Sequence, residues 1–415
     1  MAIYHRPAMR CPIVSPLLIL IGGGWSGLAA EDESLAEVPH VSSGAGAVDA
    51  TLGGGQGDDS FDDATALKQK DYKPVEIAAV PYPTSDPTLG VGITALALAA
   101  VRRSQQDNRP ITIAAAGMVT ENGSWGAAGG IRAPLCDDDL RVLAGGGYAH
   151  LNTNFYGIGV AAGERGTFVP ISQDVAVGLL GALFKVADDL YVGPRVSYNT
   201  VTTRVDVSSL SIPPSLQGYD LASEDRTASL GVQAEWDTRD NTFYPSRGWY
   251  ITGSAVGSEL DKGLVLPGAA DHVSYYKCSF ATNRYWMVTP KSVLAMQVKT
   301  DWRSSQTPFY ALASVGSSLR GYVSTQYQDR TMVTAQAEYR YDTGWHRIGA
   351  TAFTGVGAIA PTYADLLKSD ASDLLPAIGA GLRWTVAPEN HINIRFDTVY
   401  GRDGTVWYLS VGEAY

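Results

Sequence analysis

From Pro74 onward, apolar and polar side chains alternate residue by residue through most of the 415-residue chain. In "ASLGVQAEWDTR" (228–239), Leu230, Val232, Ala234 and Trp236 share one face, and Gln233, Glu235, Asp237 and Arg239 share the other. A period of two is the signature of a strand, whose successive side chains point to opposite faces. The same pattern runs through "VLAMQVKTDWR" (293–303), "TMVTAQAEYRYD" (331–342) and "INIRFDTVY" (392–400). In each, the polar face is charged: Lys299, Asp301 and Arg303; Glu338, Arg340 and Asp342; Arg395 and Asp397. The chain is therefore expected to be all-β, with one apolar and one ionic face per strand.

A soluble sandwich also alternates, so other features must decide. Trp236, Trp302, Tyr339, Tyr341 and Trp407 stand at strand ends on the apolar face, where a membrane barrel carries its interfacial aromatic girdles. Short turns ("CDDD", "ADD", "TPK", "DTG", "PEN") alternate with long polar connections, as periplasmic turns alternate with external loops. Mean hydropathy is near zero, which suits strands with one lipid-facing and one lumen-facing side. A helical membrane protein would need several apolar runs of about 18 residues or more, and only the N-terminus approaches one. The segments number about sixteen between 75 and 415, the first at 75–82 and the last at 405–415. The predicted fold is a closed antiparallel transmembrane β-barrel.

Residues 1–29 read as a secretory signal peptide: Arg6 and Arg10, then "IVSPLLILIGG", then "GLA" before Ala30. Residues 30–74 are rich in Gly, Ser and Asp with few large apolar side chains, the composition of a disordered acidic linker. Cys136 and Cys278 show no CxxC spacing, so no metal site is read from them. His150, His272, His346 and His391 are scattered, and the chain beyond the leader shows no Ser-His-Asp arrangement. No enzyme, cofactor or metal function is expected. The net charge of −11 argues against nucleic acid.

Several phrases then resemble one family. "SLRGY" (318–322), in the long connection from 305 to 330, resembles the Arg-Gly-aromatic signature of the sixth external loop in the outer-membrane assembly superfamily of BamA/TamA-like bacterial surface antigen barrels. "WDTRDNTFYPSRGWY" (236–250) is similar to its turn D-x-R-D-N-x-x-x-P-x-x-G, through Asp237, Arg239, Asp240, Pro245 and Gly248. The final "VWYLSVGEAY" is similar to its last strand, with Trp407, Leu409, Val411 and Tyr415 as a C-terminal assembly signal. "GAGLRW" (379–384) and "FYGIG" (155–159) also look like family phrases.

The resemblance implies that the loop folds back into the lumen, with Arg320, Gly321 and Tyr322 as its anchor and Glu338 as the first acidic partner. The family's second acid lies in F-x-D-x-G, but here the segment is "FTGVG" (353–357), with Gly355 at the acid's position. Either Glu338 carries the pairing alone, or Asp301, Asp342 or Asp397 substitutes. Arg340, Arg383 and Arg395 are read as lumen-solvating charges that cross-brace strands.

Members that recognise clients usually carry N-terminal polypeptide-transport-associated domains, and residues 30–74 are too short for one. The resemblance is to a barrel-only branch of the bacterial outer membrane, in contact with its lipid. Its expected role is assisting protein or lipid insertion or translocation, with client outer-membrane proteins or a periplasmic partner met through 30–74. The alternative is a structural or channel-forming barrel without insertase activity. The weak point of such a barrel would be the seam between strand 75–82, which contains Pro81, and strand 405–415.

Overall fold

The alternating segments all become strands in the computed structural model. It describes residues 75–415 apart from 102–110, 206–221, 242–243, 264–270, 369, 371 and 388–391. The expected signal peptide and acidic linker lie outside the described residues. Sixteen strands close into one antiparallel barrel. The first eight are β1 (Val75–Asp86), β2 (Gly90–Val101), β3 (Ile111–Thr120), β4 (Trp125–Leu135), β5 (Leu140–Phe155), β6 (Val169–Ala187), β7 (Leu190–Val205) and β8 (Ala222–Asp237). The rest are β9 (Gly248–Asp261), β10 (His272–Thr289), β11 (Ser292–Arg303), β14 (Thr331–Trp345), β15 (Ile348–Ala360), β16 (Leu375–Ala387), β17 (Ile392–Gly401) and β18 (Gly404–Val411). Two further short strands, β12 (Ala313–Ser314) and β13 (Gln328–Asp329), pair as a small ribbon inside the loop that joins β11 to β14.

The barrel faces follow the sequence period. On β6, the outward positions from Ala176 to Val186 are all apolar or Gly, including exposed Leu180, Phe184 and Val186. Ten residue steps at about 3.3 Å, tilted by about 40°, make a band roughly 25 Å tall, the height of a barrel's apolar belt. The belt ends at Asp174, whose carboxylate holds His150 (2.7 Å) and Arg204 on neighbouring strands. At the other end, Trp345 and Trp384 stand exposed. The connections 136–139, 188–189, 290–291 and 346–347 fall on this end, and the longer 156–168, 304–330 and 361–374 on the other, so the end with these long loops is external.

The loop of residues 304–330 does not extend into solvent. Its Val315, Leu319, Tyr322 and Tyr327 pack against Met332, Phe353, Ile359, Leu375, Ala377, Val399 and Tyr408 on the inner wall. Its Phe309, Tyr310 and Ala311 pack against Leu89, Met118, Leu151, Val175 and Val201 on the opposite wall. The loop thus bridges the lumen, and the inner wall it covers is apolar where the rest is ionic.

The ends of the barrel differ from expectation. β1 runs four residues beyond 82, to Asp86, and pairs with β2 at every position from Val75↔Val101 to Asp86↔Gly90. With β18 it pairs at one position, Ser85↔Leu409. Pro81 and Pro83 have no N–H to donate, and the unbroken β2 pairing puts those missing donors on the β18 side. β18 stops at Val411 instead of 415, because Gly412 takes φ +85° and turns the chain inward. β8 starts at Ala222, five residues earlier than its apolar alternation suggests, because its outer end is polar on the outward face (Glu224, Arg226).

A closed barrel of this kind resists detergent until heated. The folded chain should migrate faster than the boiled chain on a denaturing gel, and equal migration would contradict the closed barrel.

Candidate functional site

Arg320 sits at the centre of the inward-folded loop. The left-handed φ of +110° at Gly321 turns the chain just after it, and a β-carbon there would stand 3.1 Å from Val399 Cγ1 on the wall. The Gly321 N–H donates to Tyr408 Oη at 2.8 Å, and Tyr322 Oη donates to the Pro376 carbonyl at 2.5 Å. So fixed, Arg320 places Nη2 2.6 Å from Glu338 Oε2 and Nη1 2.6 Å from Asp397 Oδ2. Both carboxylates are fully buried, and Arg320 is 8% exposed. The guanidinium also lies 3.5 Å over the Phe353 ring, a cation–π contact that strengthens with desolvation. Burial alone would lower the Arg320 pKa, but Glu338 and Asp397 outweigh it and hold it above its ordinary value. Burial pushes the Tyr322 phenol up to about 12, so it stays a hydrogen-bond donor.

Gly355 explains where the second acid is. A β-carbon at Gly355 would stand 2.5 Å from Leu319 Cδ1 and 2.9 Å from Gln336 Cβ. The residue before the arginine fills the space an acidic side chain would need, and Asp397, on β17, supplies the second carboxylate. The other two candidates do not reach Arg320. Asp301 is six residues from the level of Glu338, about 20 Å along the strands. It accepts from Ser279 Oγ (2.5 Å) and lies 3.5 Å from Arg303 and 3.8 Å from Lys299. Asp342 is four residues from Glu338 toward the turn end, about 13 Å away, and its carboxylate accepts the Gly344 N–H.

Two arginines read as lumen-solvating belong to the same buried network. Arg340 Nε lies 2.7 Å from Glu338 Oε1. Arg383 lies 2.6 Å from Asp397 Oδ1 and 2.8 Å from Glu413 Oε2. Arg395 lines a cavity of 140 Å³ behind the seam with Tyr82, Thr94 and Tyr408. Glu413 belongs to the in-turned C-terminal segment and escaped the sequence reading, as did Tyr408 and Phe353 as contacts of the anchor. Their inward parity was visible, but the pairing across strands was not.

The residues compared with an assembly signal separate. Trp407 is exposed on the outer face, with Leu409 and Val411 at the same parity. Tyr415 leaves that face: it packs with Tyr250, Tyr285, Val293 and Ala295 in the lumen, and its carbonyl accepts from Arg340 Nη2 at 2.9 Å. The turn network closes the same end. Arg239 clasps Asp237 through Nε and Nη2 (2.9 and 3.0 Å) and stacks 3.8 Å over Tyr250. The Asp240 carboxylate accepts the Ser246 hydroxyl and the Ser246 and Arg247 N–H groups. Those hydrogen bonds overcome burial and hold its pKa below the ordinary range. Pro245 is buried, and Gly248 brings its backbone against Thr238, whose carbonyl would meet a β-carbon at 2.2 Å.

A second ionic cluster lies across the lumen and was not anticipated. Glu235 bridges Arg132 (2.6 Å) and Arg141 (2.9 Å), while Asp138 pairs with Arg141 and accepts from Tyr191 Oη. Asp138 reaches inward from a turn in which Cys136, Asp137 and Asp138 all have positive φ. Among the described residues, no group of three or more His, Cys, Asp or Glu comes together to hold a metal ion.

Two substitutions test this geometry. Arg320→Ala should destabilise the barrel by about 3 kcal/mol, the low end for breaking a buried ion pair, because Arg340 and Arg383 stay with the carboxylates. The midpoint of heat- or denaturant-induced loss of the fast gel band measures it. Gly355→Asp restores the family's acid, yet it should cost about 1–3 kcal/mol by displacing Leu319. An unchanged or raised midpoint would refute the packing argument.

The comparisons with known proteins fall on this barrel. A family profile described as the Omp85 superfamily domain matches residues 148–397, more than half of the chain, from β5 through Asp397. A search of curated protein sequences found no match. Among solved structures, BamA from Haemophilus ducreyi lacking POTRA domains 1–3 is similar at 16% identity and TM-score 0.50, covering 82% of this chain and 70% of that one. CdiB from Acinetobacter baumannii (10%, TM-score 0.50) and CdiB from Escherichia coli (13%, TM-score 0.52) are similar over 82% of this chain. The chain spans 60% and 63% of the lengths of these two CdiB chains. At such identities the likeness concerns the fold. The profile match rests on the sequence itself and covers Arg320, Glu338 and Asp397: this chain belongs to the Omp85 superfamily and is an outer-membrane β-barrel.

Proposed function

We propose that the barrel assists the insertion or translocation of proteins or lipids at the outer membrane, by opening between β1 and β18. The observation that carries this reading is the seam: β1 meets β18 at Ser85↔Leu409, against twelve consecutive positions with β2. Each backbone pair lost removes hydrogen bonds worth about 0.5–1.5 kcal/mol net, so this is where the wall parts at least cost. An open β1 edge offers unpaired N–H and C=O groups to an incoming strand. In this reading Arg320 keeps the loop seated in the lumen, Trp407, Leu409 and Val411 form the lipid-facing part of an assembly signal, and the 237–248 turn shapes the periplasmic mouth. The acidic segment 30–74 is the proposed link to a periplasmic partner or client.

A disulfide across the seam tests the mechanism. Cross-strand partners lie within disulfide reach, so Ser85→Cys with Leu409→Cys should lock the wall when oxidised. In cells lacking the native protein, the oxidised form should fail to restore outer-membrane protein or surface-lipid levels, and reduction should rescue them. Equal support by the locked and unlocked forms would overturn seam opening. Depletion that leaves all other outer-membrane proteins and surface lipids unchanged would overturn the insertion role itself. Discrete single-channel conductance insensitive to Arg320→Ala would then favour a passive channel.

A further inference from the structure

Between the 238–247 turn and the turn-side ends of β14–β17 lies a cavity of 240 Å³ at the periplasmic mouth. Its lining holds three arginines, Arg340, Arg347 and Arg383, and one carboxylate, Asp342; behind the lining, Arg340 pairs with Glu338, and Arg383 with Asp397 and Glu413. Arg340 is 1% exposed, yet its Nη1 finds no hydrogen-bond partner. Thr351, 6% exposed, lines the same cavity with its hydroxyl unpartnered. Arg383 Nη2 has only the Glu338 oxygen at 3.6 Å, beyond hydrogen-bond reach. Arg347 is exposed at the rim and forms no ion pair among the described residues.

Buried donors without acceptors are costly, more so on charged groups. Here they come from three side chains on β14, β15 and β16 around one cavity, beside a third positive charge, Arg347, at its rim. Guanidinium forks with a hydroxyl suit a carboxylate or phosphate oxyanion.

We propose that this cavity binds carboxylates of an acidic peptide, and that its occupant is this chain's own segment "DDSFDD", residues 58–63. Charge complementarity selects it: four aspartates fall within those six positions, and no Lys or Arg occurs between 30 and 63. Reach permits it. Asp63 precedes Val75 by twelve residues, up to about 40 Å of chain. The order β1-β18-β17-β16 puts the cavity wall three strand spacings from β1, roughly 15 Å. This docking holds whether or not the barrel inserts clients, so its test stands apart from the seam test.

The full-length chain carrying Arg347→Lys, folded by the gel-shift criterion, is treated with a water-soluble carbodiimide, digested and read by mass spectrometry. An amide between position 347 and Asp58, Asp59, Asp62 or Asp63 is expected. It should be lost in the parent chain and when those four aspartates are changed to Asn. The exposed Lys368–Asp365 pair, 3.3 Å apart, reports that the reagent acted. Position 347 unlinked while that pair links, linked only to Asp342, or linked to a different protein would each overturn the proposal.

Discussion

The guanidinium of Arg320, held between Glu338 and Asp397, is the contact around which the lumen is organised. None of the three charges could be buried alone, since an uncompensated ion inside a protein costs several kcal/mol. Together they form a bridge whose ends lie on β14 and β17 and whose centre is a loop residue. Around it the loop has acquired an apolar underside, Val315, Leu319, Tyr322 and Tyr327, and the wall has acquired matching apolar positions. The left-handed glycine beside the arginine and the hydroxyl of Tyr408 complete the seat.

Toward the periplasm the network continues without a break. Glu338 and Asp397 pass the contact to Arg340 and Arg383, and these reach Tyr415 and Glu413 in the in-turned C-terminal segment. The last residues therefore serve the inside of the barrel, which leaves β1 with little of β18 to pair with. The wall opposite is braced by its own cluster around Glu235 and Arg141. One side is thus cross-linked by charge strand to strand, while the seam has a single paired position.

The fold was legible in the sequence because a strand buried in lipid on one face and in an ionic lumen on the other must alternate, and β8, β11 and β14 do so cleanly. Individual inward charges were legible for the same reason: parity alone puts Glu338, Arg340 and Asp397 inside. Parity says nothing about height, however, and height separates Asp397 from Asp301 and Asp342. It also cannot show that Leu319 occupies the space beside Gly355, a packing fact between residues 36 apart. The apolar stretch of inner wall around Val175, Val201 and Val399 was hidden because a period-two reading assigns every inward position to water. Tyr415 was misplaced because the strand pattern continues past Gly412, where the backbone does not.

Moving the second acid from β15 to β17 changes what the loop is fastened to. A clamp on β14 and β15 would hold the loop to one hairpin, indifferent to the far edge of the sheet. Here Arg320 grips the strand next to β18, and Gly321 grips β18 itself through Tyr408. The loop becomes a tie rod from the middle of the wall to the edge of the seam. Any outward swing of that edge must either stretch the tie or draw the loop along with it, so the opening proposed above would load the seat of the loop before the wall could part.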